Sequence, residues 1–159
     1  MSAANPDILV VSCGNPDAGD DAFGPLVTDR VRRLDLPPAV RVEDLGLRPS
    51  ALFDFLPADV LVLVDAVRGP FPAESVIVLD WFSPERPALA HDDALSSHGL
   101  DLARQIELAR VLGWCPRRVL LVAAPVETVA LGLRPREDRV RRAVECVRQL
   151  LEEEAIHHA

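Results

Sequence analysis

Three side chains stand where this chain pattern turns from strand to loop or opens a helix: Asp21, Asp65 and His98. Two carboxylates and one imidazole form an incomplete ligand set for a borderline divalent cation such as Zn²⁺ or Ni²⁺, with positions open for a further ligand. The same set suits acid–base chemistry, because two close carboxylates raise the pKa of one of them. Asp65 is the most informative of the three. It directly follows Val60-Leu61-Val62-Leu63-Val64, the most apolar run in the sequence. A carboxylate in that place is partly buried at a sheet edge, and buried charges need partners. Asp21 alone reads as a first-turn carboxylate favoured by the helix dipole, and His98 alone as a capping or surface residue. His91, His157 and His158 carry no comparable signal. Asp20 reads as a helix N-cap rather than a ligand. Cys13 reads as a small packing residue; as a nucleophile it would need His98 for a base.

The elements that must position these groups are legible in the pattern. Ile8 to Ser12 is a short β-branched run bounded by Gly14-Asn15, and reads as a buried strand. A turn-rich loop then leads to Asp20-Asp21 and to a helix with Phe23, Leu26, Val27 and Val31 on one face, ending near Asp35. Val40 to Asp44 is a second strand. Ser50 can cap a short helix over Leu52 and Phe53. Val60 to Val64, ended by Asp65-Ala66, suits a central parallel strand covered on both faces. Ser75 to Leu79 follows too soon for a helical crossover, so it is expected to be antiparallel or at an edge. A helix begins near Ser96-Ser97-His98 and runs to Gly113. Arg118 to Ala124 is a fifth strand stopped by Pro125. The last helix has Pro135 near its first position and an apolar stripe through Val140, Ala143, Val147 and Leu151. Residues 152–159 read as a frayed tail. The order is βαβαββαβα over one domain, 1–159: an α/β fold, a three-layer sandwich whose sheet is mostly parallel.

Composition narrows the function. The 159 residues are 49% apolar and carry a net charge of −8, which argues against nucleic-acid or anionic-membrane partners. No apolar stretch approaches the roughly 20 residues of a membrane span. Asn5-Pro6-Asp7 ahead of the first apolar run does not read as a signal peptide. Three cysteines without metal spacing suggest a reduced, cytoplasmic protein. Every cationic side chain other than histidine is arginine. That bears on one alternative. A phospho-receiver domain has an acidic pair after its first strand and an acceptor aspartate after its third, which Asp20-Asp21 and Asp65 imitate. It also needs a lysine after its fifth strand, where this chain has Ala123-Ala124-Pro125. Gly14, Gly19 and Gly24 do not have the spacing of a dinucleotide fingerprint.

Six pieces in register carry a more specific signal: Gly14-Asn15; Gly19-Asp20-Asp21-Ala22-Phe23-Gly24; Asp44-Leu45-Gly46; Leu63-Val64-Asp65-Ala66; Ser97-His98-Gly99-Leu100; and Gly132-Leu133-Arg134-Pro135. With them the chain resembles the nickel–iron hydrogenase maturation endopeptidases, which remove a C-terminal tail from the hydrogenase large-subunit precursor. The resemblance implies a twisted five-stranded sheet between helices. It implies that Asp21, Asp65 and His98 are the metal ligands, recognising nickel supplied by the substrate, with zinc or cadmium able to stand in for it. It leaves open whether a metal-bound water or the carboxylates drive hydrolysis. Gly46 would leave room for an extended substrate segment. The family usually has glycine at the Ser12 position and often glutamate where Asp21 stands. The expected partner is the large-subunit precursor, met by a monomer. The alternative is a non-catalytic α/β protein that binds a divalent metal or a metal-loaded partner.

Overall fold

The run from Val60 to Val64 becomes the middle of a five-stranded sheet. The computed structural model describes residues 7–14, 17, 19–67, 75–83, 97–125 and 134–157, with the backbone alone at 20, 21, 97–101, 156 and 157. The strands are β1 (Ile8–Ser12), β2 (Val40–Asp44), β3 (Val60–Val67), β4 (Ile77–Asp80) and β5 (Arg118–Pro125). The helices are α1 (Phe23–Arg32), α2 (Ser97–Leu112) and α3 (Glu137–His157), with short 3₁₀ segments at Gly19–Ala22 and Pro49–Phe55. The sheet order is β2-β1-β3-β5-β4. All pairings are parallel except β4 with β5. The fourth strand is thus both antiparallel and at an edge, as its short connection to β3 requires.

All of β3 is buried, because alternate side chains feed two separate cores. Leu61, Leu63 and Val67 join Leu9, Val11 and Leu121 on one face, covered by Leu102, Ile106 and Ala109 of α2 and by Leu52. Val60, Val62 and Val64 join Ile8, Val10 and Val122 on the other, covered by Phe23 and Val27 of α1 and Val140 and Ala143 of α3. Helices on both faces of a mostly parallel sheet make the expected α/β sandwich.

Several boundaries differ from the sequence expectation. Asp65 lies inside β3 rather than beyond it, because β5 is long enough to pair Ala123, Ala124 and Pro125 with Asp65, Ala66 and Val67. Pro125 is therefore the last residue of β5, not the residue that stops it. Asp20 is not the N-cap of α1. Gly19–Ala22 winds directly into the helix, so the cap position falls on Ala22, which is itself helical and makes no side-chain cap bond. Ser50 lies within the Pro49–Phe55 segment, whose N-terminus is set by Pro49; proline suits that place because its missing N–H has no acceptor to lose. The last helix starts at Glu137, with Glu137 and Asp138 in its first turn, which its dipole favours.

The tail is the largest difference. Residues 152–157 continue α3 rather than fray. Glu154 is only 2% exposed, and its carboxylate accepts from Arg117 Nη2 at 3.0 Å and from Arg118 Nη1. The sequence shows three consecutive glutamates, which reads as solvated. The helical period turns only the third of them toward the start of β5. No helix among the described residues is long and apolar enough to cross a membrane.

Glu154→Ala removes a buried acceptor shared by two arginines. Both arginines are more than a third or close to a third exposed, so each can turn to water. The expected loss is about 1–2 kcal/mol, read as a lower urea midpoint at unchanged slope. A truly frayed tail would show no change.

Candidate functional site

The strand order reverses between β1 and β3: β1 leads to β2 on one side and the chain then crosses to β3 on the other. Ligands of open α/β sheets bind at the carboxyl ends of the strands at such a switch point. The β1–β3 ladder ends at Ser12 opposite Val64. Asp65, the next residue, pairs with β5 only, so it borders the notch where β1 stops. Its side chain is 2% exposed, and Oδ1 accepts the Ala66 N–H at 2.9 Å. Alternation puts it on the face of Leu61 and Leu63, the face covered by α2.

Asp21 belongs to the 3₁₀ turn Gly19–Ala22, which packs against β3 and runs straight into α1. Gly24 sets how close this segment comes. A Cβ at Gly24 would stand 2.8 Å from the carbonyl oxygens of both Cys13 and Val64. The absence of a side chain there lets the first turn of α1 rest on the ends of β1 and β3. His98 is the second residue of α2. That helix ends at Gly113, which has φ +75°. The chain then returns to the amino edge of the sheet, where Arg117 N donates to Asp59 O at 3.0 Å. At about 1.5 Å per residue, the helix spans the sheet, and its first turn lies toward the carboxyl edge on the Asp65 face. The backbone thus brings the segments bearing Asp21, Asp65 and His98 to one edge. The side chains of Asp21 and His98 lie outside the described residues, as do Asn15, Gly132 and Leu133. Among the described residues, which leave out those two side chains, no three histidine, cysteine, aspartate or glutamate residues gather as a metal-binding group.

The rim of the notch is built from main chain. Leu45 N donates to Ser12 O at 2.8 Å, and Gly14 N donates to Gly46 O at 2.9 Å. Gly46 N in turn donates to Asp44 Oδ1 at 2.8 Å. Gly46 has φ +58°, and nothing lies within 4 Å of where its Cβ would be. The glycine is there for its backbone conformation, and the space above it is open. Sequence reasoning singled out Gly46, and Ser12 as a departure from the family's glycine, but missed Thr28 and its contact with Ser12. The available signal was Thr28, a polar residue on the apolar stripe of α1 next to Val27.

None of the three cysteines is in a disulfide. Burial pushes the Cys115 and Cys146 thiols up, so both stay protonated at neutral pH and are poor nucleophiles. Cys13 is buried in the apolar cluster with Leu9 and Val11.

No family model matches the chain. Over 141 residues it is 31% identical to the hydrogenase expression/formation protein HupD of Rhodobacter capsulatus, covering 85% of this chain and 66% of that one. It is 30% identical over 154 residues to the HupD protein of Thiocapsa roseopersicina, covering 93% and 69%. The chain therefore spans about two thirds of the length of these curated relatives. Among solved structures, the hydrogenase-maturating endopeptidase HybD from E. coli superposes with a TM-score of 0.78 at 27% identity, covering 92% of each chain.

Gly24→Ala tests the close approach. The methyl group favours the helix by about 1 kcal/mol. It also meets two main-chain oxygens that cannot rotate away, and such overpacking costs about 1–3 kcal/mol. A net loss of up to about 2 kcal/mol in denaturant unfolding is expected. Unchanged or higher stability would mean that α1 does not rest on the ends of β1 and β3.

Proposed function

Because the chain belongs to the hydrogenase maturation endopeptidase family, we propose that it cleaves the C-terminal extension from the precursor of a nickel–iron hydrogenase large subunit. The observation that carries this reading is Asp65, a buried carboxylate bordering the notch between β1 and β3. The segments that bear Asp21 and His98 meet the same edge of the sheet. In this reading Asp21, Asp65 and His98 recognise the nickel that the precursor carries, and the metal is part of the substrate. Two carboxylates and an imidazole suit a borderline divalent ion. A set of three leaves coordination positions for ligands from the precursor, so binding depends on the precursor's loading state. The bound metal ion supplies a positive charge beside the scissile peptide. The protein's share is to hold the ion and orient the segment along the rim formed by Gly14 and Gly46. A carboxylate within reach of the peptide can then accept and return a proton. Three cysteines outside any disulfide suit action in the reducing cytoplasm.

The test is conversion of a purified large-subunit precursor, nickel-loaded or metal-free, followed by mass spectrometry. The intact protein should shorten the loaded precursor and leave the metal-free one whole. Asp65→Asn and His98→Ala should each lower the rate on the order of 100-fold or more while retaining the wild-type circular dichroism. Binding of the loaded precursor without any shortening would replace this reading with the non-catalytic one. Equal cleavage of both precursors would remove the role given to nickel.

A further inference from the structure

The Gly46 turn is anchored to the interior as well as to the Gly14 loop. Ser12, the last residue of β1, is 1% exposed, and its Oγ lies 2.8 Å from Thr28 Oγ1. Thr28 is fully buried in α1, and its hydroxyl also reaches the carbonyl oxygens of Gly24 at 3.1 Å and Pro25 at 3.2 Å. On its other side, Ser12 Oγ donates to Asp44 Oδ1 at 3.4 Å. The same carboxylate oxygen takes the Gly46 N–H at 2.8 Å. Each hydroxyl has a single proton. When Ser12 donates to Asp44, Thr28 donates to Ser12, and the chain runs from α1 through Ser12 and Asp44 to Gly46. When Thr28 turns to the Gly24 or Pro25 carbonyl, Ser12 donates to Thr28 and both buried hydroxyls still have a partner. In both arrangements Ser12 ties β1 to the helix that follows the Asp21 turn. Only in the first does it also hold Asp44.

We propose that Ser12 is a positioning residue: its hydroxyl, placed between Thr28 and Asp44, fixes Asp44 and through it the Gly46 turn, and so sets the rim along which an extended peptide substrate lies. Ser12 touches no substrate. It acts through Asp44, which is exposed at the end of β2, and through Gly46, whose backbone faces open space. The Gly46 carbonyl also accepts from Gly14, so a shift of this turn is felt in the loop that leads to Asp21. The consequence for substrate rests on the endopeptidase reading; the bracing of Gly46 does not.

Two measurements on Ser12→Ala, Thr28→Val and Thr28→Ser separate these halves. The first is amide hydrogen exchange of the free protein. Loss of the Ser12–Asp44 hydrogen bond should speed exchange at Gly46 about three- to tenfold in Ser12→Ala, with Val62 in the core unchanged, whereas Thr28→Val removes the competing acceptor, leaves the Ser12 proton to Asp44 and should not speed it. Thr28→Ser keeps a hydroxyl and should stay near wild type. An unchanged Gly46 in Ser12→Ala overturns the proposal. The second is precursor cleavage. The KM should rise by a similar factor in Ser12→Ala, with kcat within about twofold, and Thr28→Ser should again resemble wild type. Faster Gly46 exchange with an unchanged KM overturns the claim that this turn meets the substrate. If wild-type protein does not shorten the precursor, the endopeptidase reading falls, and the exchange result still decides the role of Ser12.

Discussion

Everything in this molecule follows from the need to cover both faces of β3. A strand of eight buried residues cannot lie on a surface, so helices must pack on each side of it and parallel partners must flank it. Parallel neighbours force crossover connections, which place the carboxyl ends of β1, β2, β3 and β5 at the same edge of the sheet. The chain builds outward from β1 in one direction and then returns to the other. That leaves a notch beside β1 that the strands themselves cannot fill. Asp65 borders this notch because β3 runs on past the end of β1.

The fold was largely legible in the sequence because its signals are one-dimensional. The unbroken run at Val60 to Val64 announces two covered faces, and the short link before Ile77 announces an antiparallel edge strand. The missed features depend on pairing between distant segments. Asp65 reads as the end of a strand until Ala123 on β5 extends the ladder to it. Glu154 reads as solvated until Arg117 and Arg118 arrive from another element. Gly24 is visible as a glycine in a motif, but its reason is a contact with Cys13 and Val64. The placement of the segments bearing Asp21, Asp65 and His98 was legible because each lies at or near a strand or helix terminus. The Ser12–Thr28 contact was not, because a serine at a strand end, even one in place of the family's glycine, does not point to a helix threonine until the two face each other at 2.8 Å.

The use of arginine alone as the strong cation shapes how the elements are joined. Arg30 meets Glu137 through two nitrogens at 2.6 and 2.7 Å, linking α1 to the first turn of α3. This contact holds the Glu137 carboxyl below its usual range. Arg41 meets Asp7 through Nε and Nη2 at 3.1 and 3.0 Å and also reaches the Phe55 carbonyl. It thereby ties β2 to the entry of β1 and to the segment before β3. A guanidinium can make such paired contacts because its donors form a flat fork that matches a carboxylate; an ammonium cannot. The exposed pairs add little stability on their own. Their geometric value is that they fix where segments meet. Arg139 does this inside the protein, donating from a fully buried side chain to the Pro125 carbonyl at 3.1 Å, at the carboxyl end of β5.

Glu154 and Asp65 are buried carboxylates at opposite edges of the sheet. Both are 2% exposed. Glu154 lies near the start of β5, where two arginine side chains point their donors at it, and its charge is matched within the fold. Asp65 lies at the opposite edge, within a wholly buried strand, and accepts the N–H of the next residue. Desolvating a carboxylate costs several kcal/mol even after relaxation. Valine or alanine at position 65 would continue the pattern of β3 and remove that cost. The same edge carries the segments of Asp21 and His98. The aspartate thus holds a place in β3 that the packing of the strand does not require.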